Sequence, residues 1–135
     1  MCSKSKKNKI QTLSNKLLKY LLRLDQRTPT DVLHKDLDIL KLDDMIKLEI
    51  LNFVKKCLFE NCPDLFKNYF RYQNHTYTIR DPKLYVNPSK TNMGSHSLKI
   101  KGASLWNSLS SEIKSKAHLK SFKKVLKTHY LSMYG

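Results

Sequence analysis

Apolar residues recur at three- and four-residue steps in several stretches of the chain, and each such stretch predicts an amphipathic helix. From about Lys6 to Leu24, the side chains of Ile10, Leu13, Leu17, Tyr20, Leu21 and Leu24 share one side, with Lys9, Lys16, Lys19 and Arg23 on an adjacent side. A polar turn from Asp25 to Pro29 ends this basic helix. A short helix follows, in which the Thr30 hydroxyl is expected to cap the first turn, Asp31 to complement the dipole, and Leu33, Leu37 and Leu40 to face inward. A longer helix is predicted from Asp43 or Asp44 to about Glu60. Its apolar positions cover more than half of its circumference, which marks it as the central helix. Pro63 stops it, with one further helical turn expected between Pro63 and Tyr69. Helix resumes around Ala103 to Leu109, a short turn follows at Glu112, and a final helix runs from about His118 to Met133. There Leu119, Phe122, Val125, Leu126, Tyr130 and Met133 line one side, and Lys120, Lys123, Lys124 and Lys127 the side next to it.

Between Phe70 and Lys101 the helical period is lost. Short alternating pieces, His75 to Ile79, Leu84 to Val86 and Ser97 to Ile100, suggest strands that pair around a turn at Gly94. The predicted fold class is therefore mainly α, a small helical domain with a short β-hairpin between residues 75 and 101. A basic tail over residues 1–8 would precede a single domain over residues 9–135.

Composition changes this picture through charge. Lys and Arg total 26 against 11 Asp and Glu, a formal net charge of +15. Residues 1–24 contribute +7 with no acid, residues 25–64 contribute −3, and residues 65–135 contribute +11. Two basic ends around a nearly neutral middle speak of an anionic partner, and nucleic acid is the commonest polyanion. The favoured reading of the first helix is a core-facing apolar side with a solvated lysine side, ahead of contact with nucleic acid. A membrane-surface or mitochondrial targeting helix comes last, because the apolar stripe continues in register with the rest of a foldable domain. Lys16 and Lys19 rule out a cleaved secretory signal there. No apolar run approaches the roughly 20 residues of a membrane span. Three Cys without framework spacing fit a reducing, intracellular setting, nucleus or cytoplasm. Three Gly leave no material for a phosphate-cradling loop, so no nucleotide cofactor is expected.

Candidate chemistry is sparse. Asp43 and Asp44 are adjacent like a polymerase metal pair, but two-metal catalysis needs another carboxylate from a distant element, and this pair opens a helix, where acids favour the dipole. Cys57 and Cys62 with His75 and His96 match no compact zinc module, and Cys57 falls on the apolar stripe. Nothing nominates a nucleophile or an acid–base pair. The sharper constellation interleaves cations with aromatics: Lys67, Tyr69, Phe70, Arg71, Tyr72, His75, Tyr77, Arg80, Lys83 and Tyr85. Cations can neutralise phosphates while exposed rings stack on unpaired bases. The competing use of the same rings is to fill the core under an irregular segment.

Six pieces in a constant order resemble one family. Ile10-Gln11-Thr12-Leu13 with Asn15-Lys16-Leu17-Leu18, then Leu37 to Asp44, then Pro63-Asp64-Leu65-Phe66, look like the region that follows the polymerase core in non-LTR (LINE-type) retrotransposon reverse transcriptases. His75-Thr76-Tyr77-Thr78-Ile79-Arg80 resembles the family's His-x-Tyr-x-Thr-Arg. Gly102-Ala103-Ser104-Leu105-Trp106-Asn107-Ser108-Leu109 and Ser121-Phe122-Lys123-Lys124-Val125-Leu126-Lys127 resemble its closing patterns. Ile79 stands where the family usually has Thr, and Ser110 where it usually has Pro. The resemblance implies a truncated tail fragment, a helical domain of the reverse-transcriptase C-terminal kind, beginning after fingers, palm and catalytic aspartates. It implies no polymerase activity of its own and no metal or other cofactor.

On this reading the chain would bind RNA or RNA/DNA, with Lys16, Lys19, Arg71, Tyr72, Arg80, Lys120, Lys123, Lys124 and Lys127 as the contacting residues. Trp106 would anchor the core. The alternative is a structural module that packs its apolar faces on the polymerase domains of a related full-length protein, with lysines serving solubility.

Overall fold

The computed structural model of the chain describes residues 4–59, 62–74, 81–86, 88, 90, 91, 97–116 and 118–134. It is mainly α, with six helices among the described residues: α1 (Lys4–Leu21), α2 (Thr30–Asp36), α3 (Leu42–Phe59), α4 (Leu98–Ser108), α5 (Ser111–Lys114) and α6 (Leu119–Ser132). A single 3₁₀ turn, Asp64–Phe66, follows α3 as the sequence suggests. None of these helices is long and apolar enough to cross a membrane. The chain forms two compact units, residues 1–46 with 126–135, and residues 47–125.

In the first unit, α1 begins at Lys4, inside the stretch expected to be a basic tail. Its orientation overturns the core-facing reading of its apolar side. The side that packs is polar: Gln11 Oε1 accepts the Leu42 backbone N–H at 2.6 Å, and Gln11 Nε2 donates to Asn15 Oδ1 at 2.8 Å. Asn15 in turn is hydrogen-bonded to Nε2 of the buried His34 at 2.9 Å, and His34 Nδ1 donates to the Ile39 carbonyl at 3.1 Å. Buried polar groups must find partners, and this network supplies them. Ile10, Leu13, Leu17, Tyr20 and Leu21 are left on the outside, between 49% and 77% exposed.

Both α1 and α2 stop in the same way. Leu24 N–H bonds the Lys19 carbonyl and Arg23 N–H the Tyr20 carbonyl; Ile39 N–H bonds the His34 carbonyl and Asp38 N–H the Lys35 carbonyl. These are Schellman motifs, with Arg23 (φ 54°) and Asp38 (φ 58°) in the left-handed position that glycine usually fills. The expected Thr30 cap is absent: Thr30 is already helical and Pro29 precedes it without a side-chain cap bond. A residue already inside the helix is not at the capping position, so the Thr30 hydroxyl does not make the expected bond. Tyr134 closes the unit, its hydroxyl donating to Asp44 and accepting the Lys41 N–H at 2.9 Å.

The second unit is built around Leu51, Val54, Leu84, Trp106 and Phe122, all essentially without exposure. Trp106, the expected anchor, lies between Phe59 and Phe122, with ring centroids 6.1 and 5.9 Å away. Lys55 is also buried, its ammonium 4.9 Å from the centroids of both Phe59 and Phe122, where ring faces offset part of the cost of desolvating the charge. Helix α4 starts five residues earlier than the sequence suggests. Ser97 is its N-cap and accepts the Ile100 N–H, so Ser97 to Ile100 is a helix start and not a strand. The alternation of Leu98 and Ile100 mimics a strand, but the cap and the burial of Gly102, Ala103 and Trp106 one and two turns later decide for helix.

Among the described residues there is no strand. One isolated antiparallel bridge joins Tyr72 to Leu84; the proposed pieces at 75–79 and around Gly94 lie outside the described residues.

Candidate nucleic-acid interface

The bridge between Tyr72 and Leu84 organises a solvent-open part of the aromatic-basic stretch. Gln73 N–H donates to the Lys83 carbonyl at 2.8 Å and Tyr85 N–H to the Arg71 carbonyl at 2.7 Å. Arg71 and Tyr85 thereby become cross-strand neighbours. A hydrogen-bonded pair this short is not stable alone. Helix α4 fixes it through Asn107, whose Oδ1 accepts the Leu84 N–H at 2.7 Å while its Nδ2 donates to the Leu84 carbonyl at 2.9 Å. Lys83 Nζ also donates to the Asn107 carbonyl at 2.8 Å. Asp81 adds a further tie, with Lys114 at 2.9 Å and Lys83 at 3.5 Å. The hydrogen bond from Lys114 holds the Asp81 carboxyl below the usual carboxylate range.

Arg71, Tyr72, Gln73, Asn74 and Tyr85 line a cleft of about 420 Å³. Tyr72 and Tyr85 are 40% and 48% exposed, and partial burial pushes the Tyr72 phenol upward, so it stays a neutral donor at any ordinary pH. The lining combines one guanidinium suited to a phosphate, two partly exposed tyrosines and two side-chain amides suited to base edges or sugar hydroxyls. Gln73, Asn74 and Asn107 carry no sequence signal of this role, because polar residues in an aperiodic stretch read only as loop.

The neighbouring aromatics do something else. Phe53, Phe66, Tyr69 and Phe70 form an edge-to-face cluster with centroid separations of 5.1 to 6.1 Å. The stretch therefore divides, with Tyr69 and Phe70 packing and Tyr72 and Tyr85 open.

The lysines predicted from sequence fare unequally. Lys16 and Lys120 are exposed and form no ion pair among the described residues. Lys123 pairs with Glu49 at 2.7 Å and Lys127 with Asp38 at 3.0 Å. Such surface pairs are worth about 0–1 kcal/mol, so a phosphate can displace the carboxylate at little cost. Lys124 is exposed on the same helix, one residue from Lys123. Lys19 must be reassigned. It is buried at 8% exposure and its Nζ donates to the Gln26 carbonyl at 2.7 Å, holding the turn after α1, out of reach of any phosphate. Arg80 lies outside the described residues. Of the nine candidates, the cleft gathers Arg71 and Tyr72; Lys120, Lys123 and Lys124 are supplied by the first turns of α6, while Lys16 on α1 and Lys127 on α6 belong to the first unit.

Cys57 and Cys62 approach to 3.1 Å between sulfurs, and burial together with the neighbouring thiol pushes Cys57 up to about 12. No group of three or more His, Cys, Asp or Glu gathers in metal-holding geometry among the described residues. Asp43 pairs with Lys7 at 3.8 Å and Asp44 accepts from Tyr134, so both acids serve the first unit's packing.

No family model, no curated protein and no solved structure matches the chain.

Proposed function

We propose that the chain is a non-catalytic nucleic-acid-binding module of the kind found after the polymerase core in non-LTR retrotransposon reverse transcriptases, and that it binds single-stranded RNA or an RNA/DNA junction. The observation that carries this reading is the cleft lined by Arg71, Tyr72 and Tyr85, in which both tyrosines are partly exposed and Arg71 pairs across the bridge with Tyr85. A cation and partly exposed tyrosines lining one cleft suit unpaired nucleotides, whose bases are free to stack, better than a closed duplex. The net charge of +15 supplies the long-range attraction, and the exposed lysines of α6 extend it.

The test is affinity for a short single-stranded RNA across a salt series. Log affinity should fall linearly with log salt, with a slope of about −0.7 per phosphate neutralised. Replacing both Tyr72 and Tyr85 by Ala should lose about 1–3 kcal/mol per stacked base without changing that slope. Arg71→Ala should make the slope shallower by about one contact. A flat salt response, or the double tyrosine variant binding as tightly as the parent, would refute the proposal.

A further inference from the structure

The outward stripe of α1 has a periodicity that the packing of the first unit does not use. Ile10, Leu13, Leu17 and Tyr20 are spaced three, four and three residues apart, the a and d positions of two successive heptads. Leu21 falls at an e position, and Lys9 and Lys16 at the two g positions. All five apolar side chains are exposed, and so are Lys9 and Lys16. Rolling the helix to bury the stripe would break the bonds from Gln11 to Leu42 and from Asn15 to His34, so the stripe faces outward because the polar side is already committed.

The flanking charge is one-sided. Lys9 and Lys16 border one edge of the stripe, while the other edge carries Ser14 and Lys7, the latter drawn to Asp43 at 3.8 Å. A second copy of α1 would bring together two segments of +7 with no acid between them. A flat lipid surface would meet both edges alike. A row of acids alongside an apolar a/d seam matches the stripe on both counts.

We infer that α1 docks an acidic amphipathic helix of a partner protein, seated along Ile10, Leu13, Leu17 and Tyr20 with its carboxylates against Lys9 and Lys16. The probe is a fluorescein-labelled three-heptad peptide with Leu at a and d and Glu at e and g, compared with a scrambled peptide of the same composition, on the full chain at physiological salt. The heptad peptide should bind at least about tenfold more tightly than the scramble, a difference of about 1.4 kcal/mol. The double variant Leu13→Ser with Leu17→Ser should erase that difference. Both positions are exposed, and an unchanged far-ultraviolet circular dichroism spectrum verifies that the fold survives. Equal affinity for the two peptides, or preference retained in the double variant, overturns the inference. So does a dimer at physiological salt that the double variant abolishes, which would make a second copy the occupant. Stripe-dependent binding to phosphatidylcholine–phosphatidylserine vesicles that exceeds peptide binding would assign the stripe to lipid and overturn it as well.

Discussion

Asn107 grips Leu84 by both of its backbone groups, accepting from its N–H at 2.7 Å and donating to its carbonyl at 2.9 Å. A side-chain amide here stands in for the missing neighbouring strand, and Leu84 itself is fully buried. Replacing Asn107 by Ala leaves both groups unpaired under the core. The expected loss is about 1–3 kcal/mol, read by urea denaturation, with faster hydrogen exchange at the Leu84 and Tyr85 amides. Asn107→Asp keeps the acceptor and loses the donor, so it should protect the Leu84 amide better than Ala does.

Gly102 of α4 lies against Val54 of α3 and the Phe70 ring in the second unit. A Cβ built there would meet Val54 Cγ2 at 3.0 Å and two atoms of the Phe70 ring at 3.1 Å. Alanine in mid-helix normally gains about 0.5–1 kcal/mol over glycine. At this position the crowding should cancel that gain, and Gly102→Leu should cost about 1–3 kcal/mol by overpacking. Thermal unfolding of the two variants measures both effects; a stabilised Gly102→Ala would show that Val54 and Phe70 yield freely.

Arg23 and Asp38 hold left-handed conformations that cost a side-chain-bearing residue about 1–2 kcal/mol. Arg23→Gly should therefore raise the unfolding temperature, since Arg23 N–H and Leu24 N–H keep their Schellman bonds. Asp38→Gly should gain less, because it also removes the pair with Lys127 at 3.0 Å.

Asp81 gives the fold an acid-sensitive tie. Its folded pKa is depressed, chiefly by the hydrogen bond from Lys114, so its stabilisation is present above the unfolded value of about 4 and is lost as pH falls through the folded value. Lys114→Met should lower stability at neutral pH and flatten its decline toward acid. Denaturation curves at neutral pH and near pH 3 distinguish this from a uniform loss.

How much of this was legible beforehand depends on the kind of contact. Helices α3 and α6 follow from their apolar positions, which cover most of the circumference of α3 and one side of α6. Pattern also finds α1 but misjudges which side packs. Its inward side is decided by bonds to His34 and Leu42, far away in the chain, and no local period encodes them. The same holds for the cations. Lys123 and Lys127 find Glu49 and Asp38 only through folding, and Lys19 is turned inward by the backbone of Gln26. The polar turn after Arg23 announces the end of α1, but the left-handed positions at Arg23 and Asp38 lack the usual glycine signal. Within the candidate cleft, Arg71 and Tyr72 stood out as cation and ring, whereas Gln73, Asn74 and the clamp at Asn107 became visible only once the Tyr72–Leu84 bridge was formed.

The outward stripe of α1 also has a colloidal consequence. Like-charged particles with a sticky band stay dispersed only while their repulsion reaches beyond the range of apolar contact. At physiological ionic strength the Debye length is about 8 Å, and near 1 M salt it shrinks to about 3 Å. Five exposed apolar side chains on a chain of +15 therefore give a solubility that falls as salt is added, the reverse of a protein precipitating at its isoelectric point. Light scattering should rise with ionic strength, and the dispersing agent of choice is low salt.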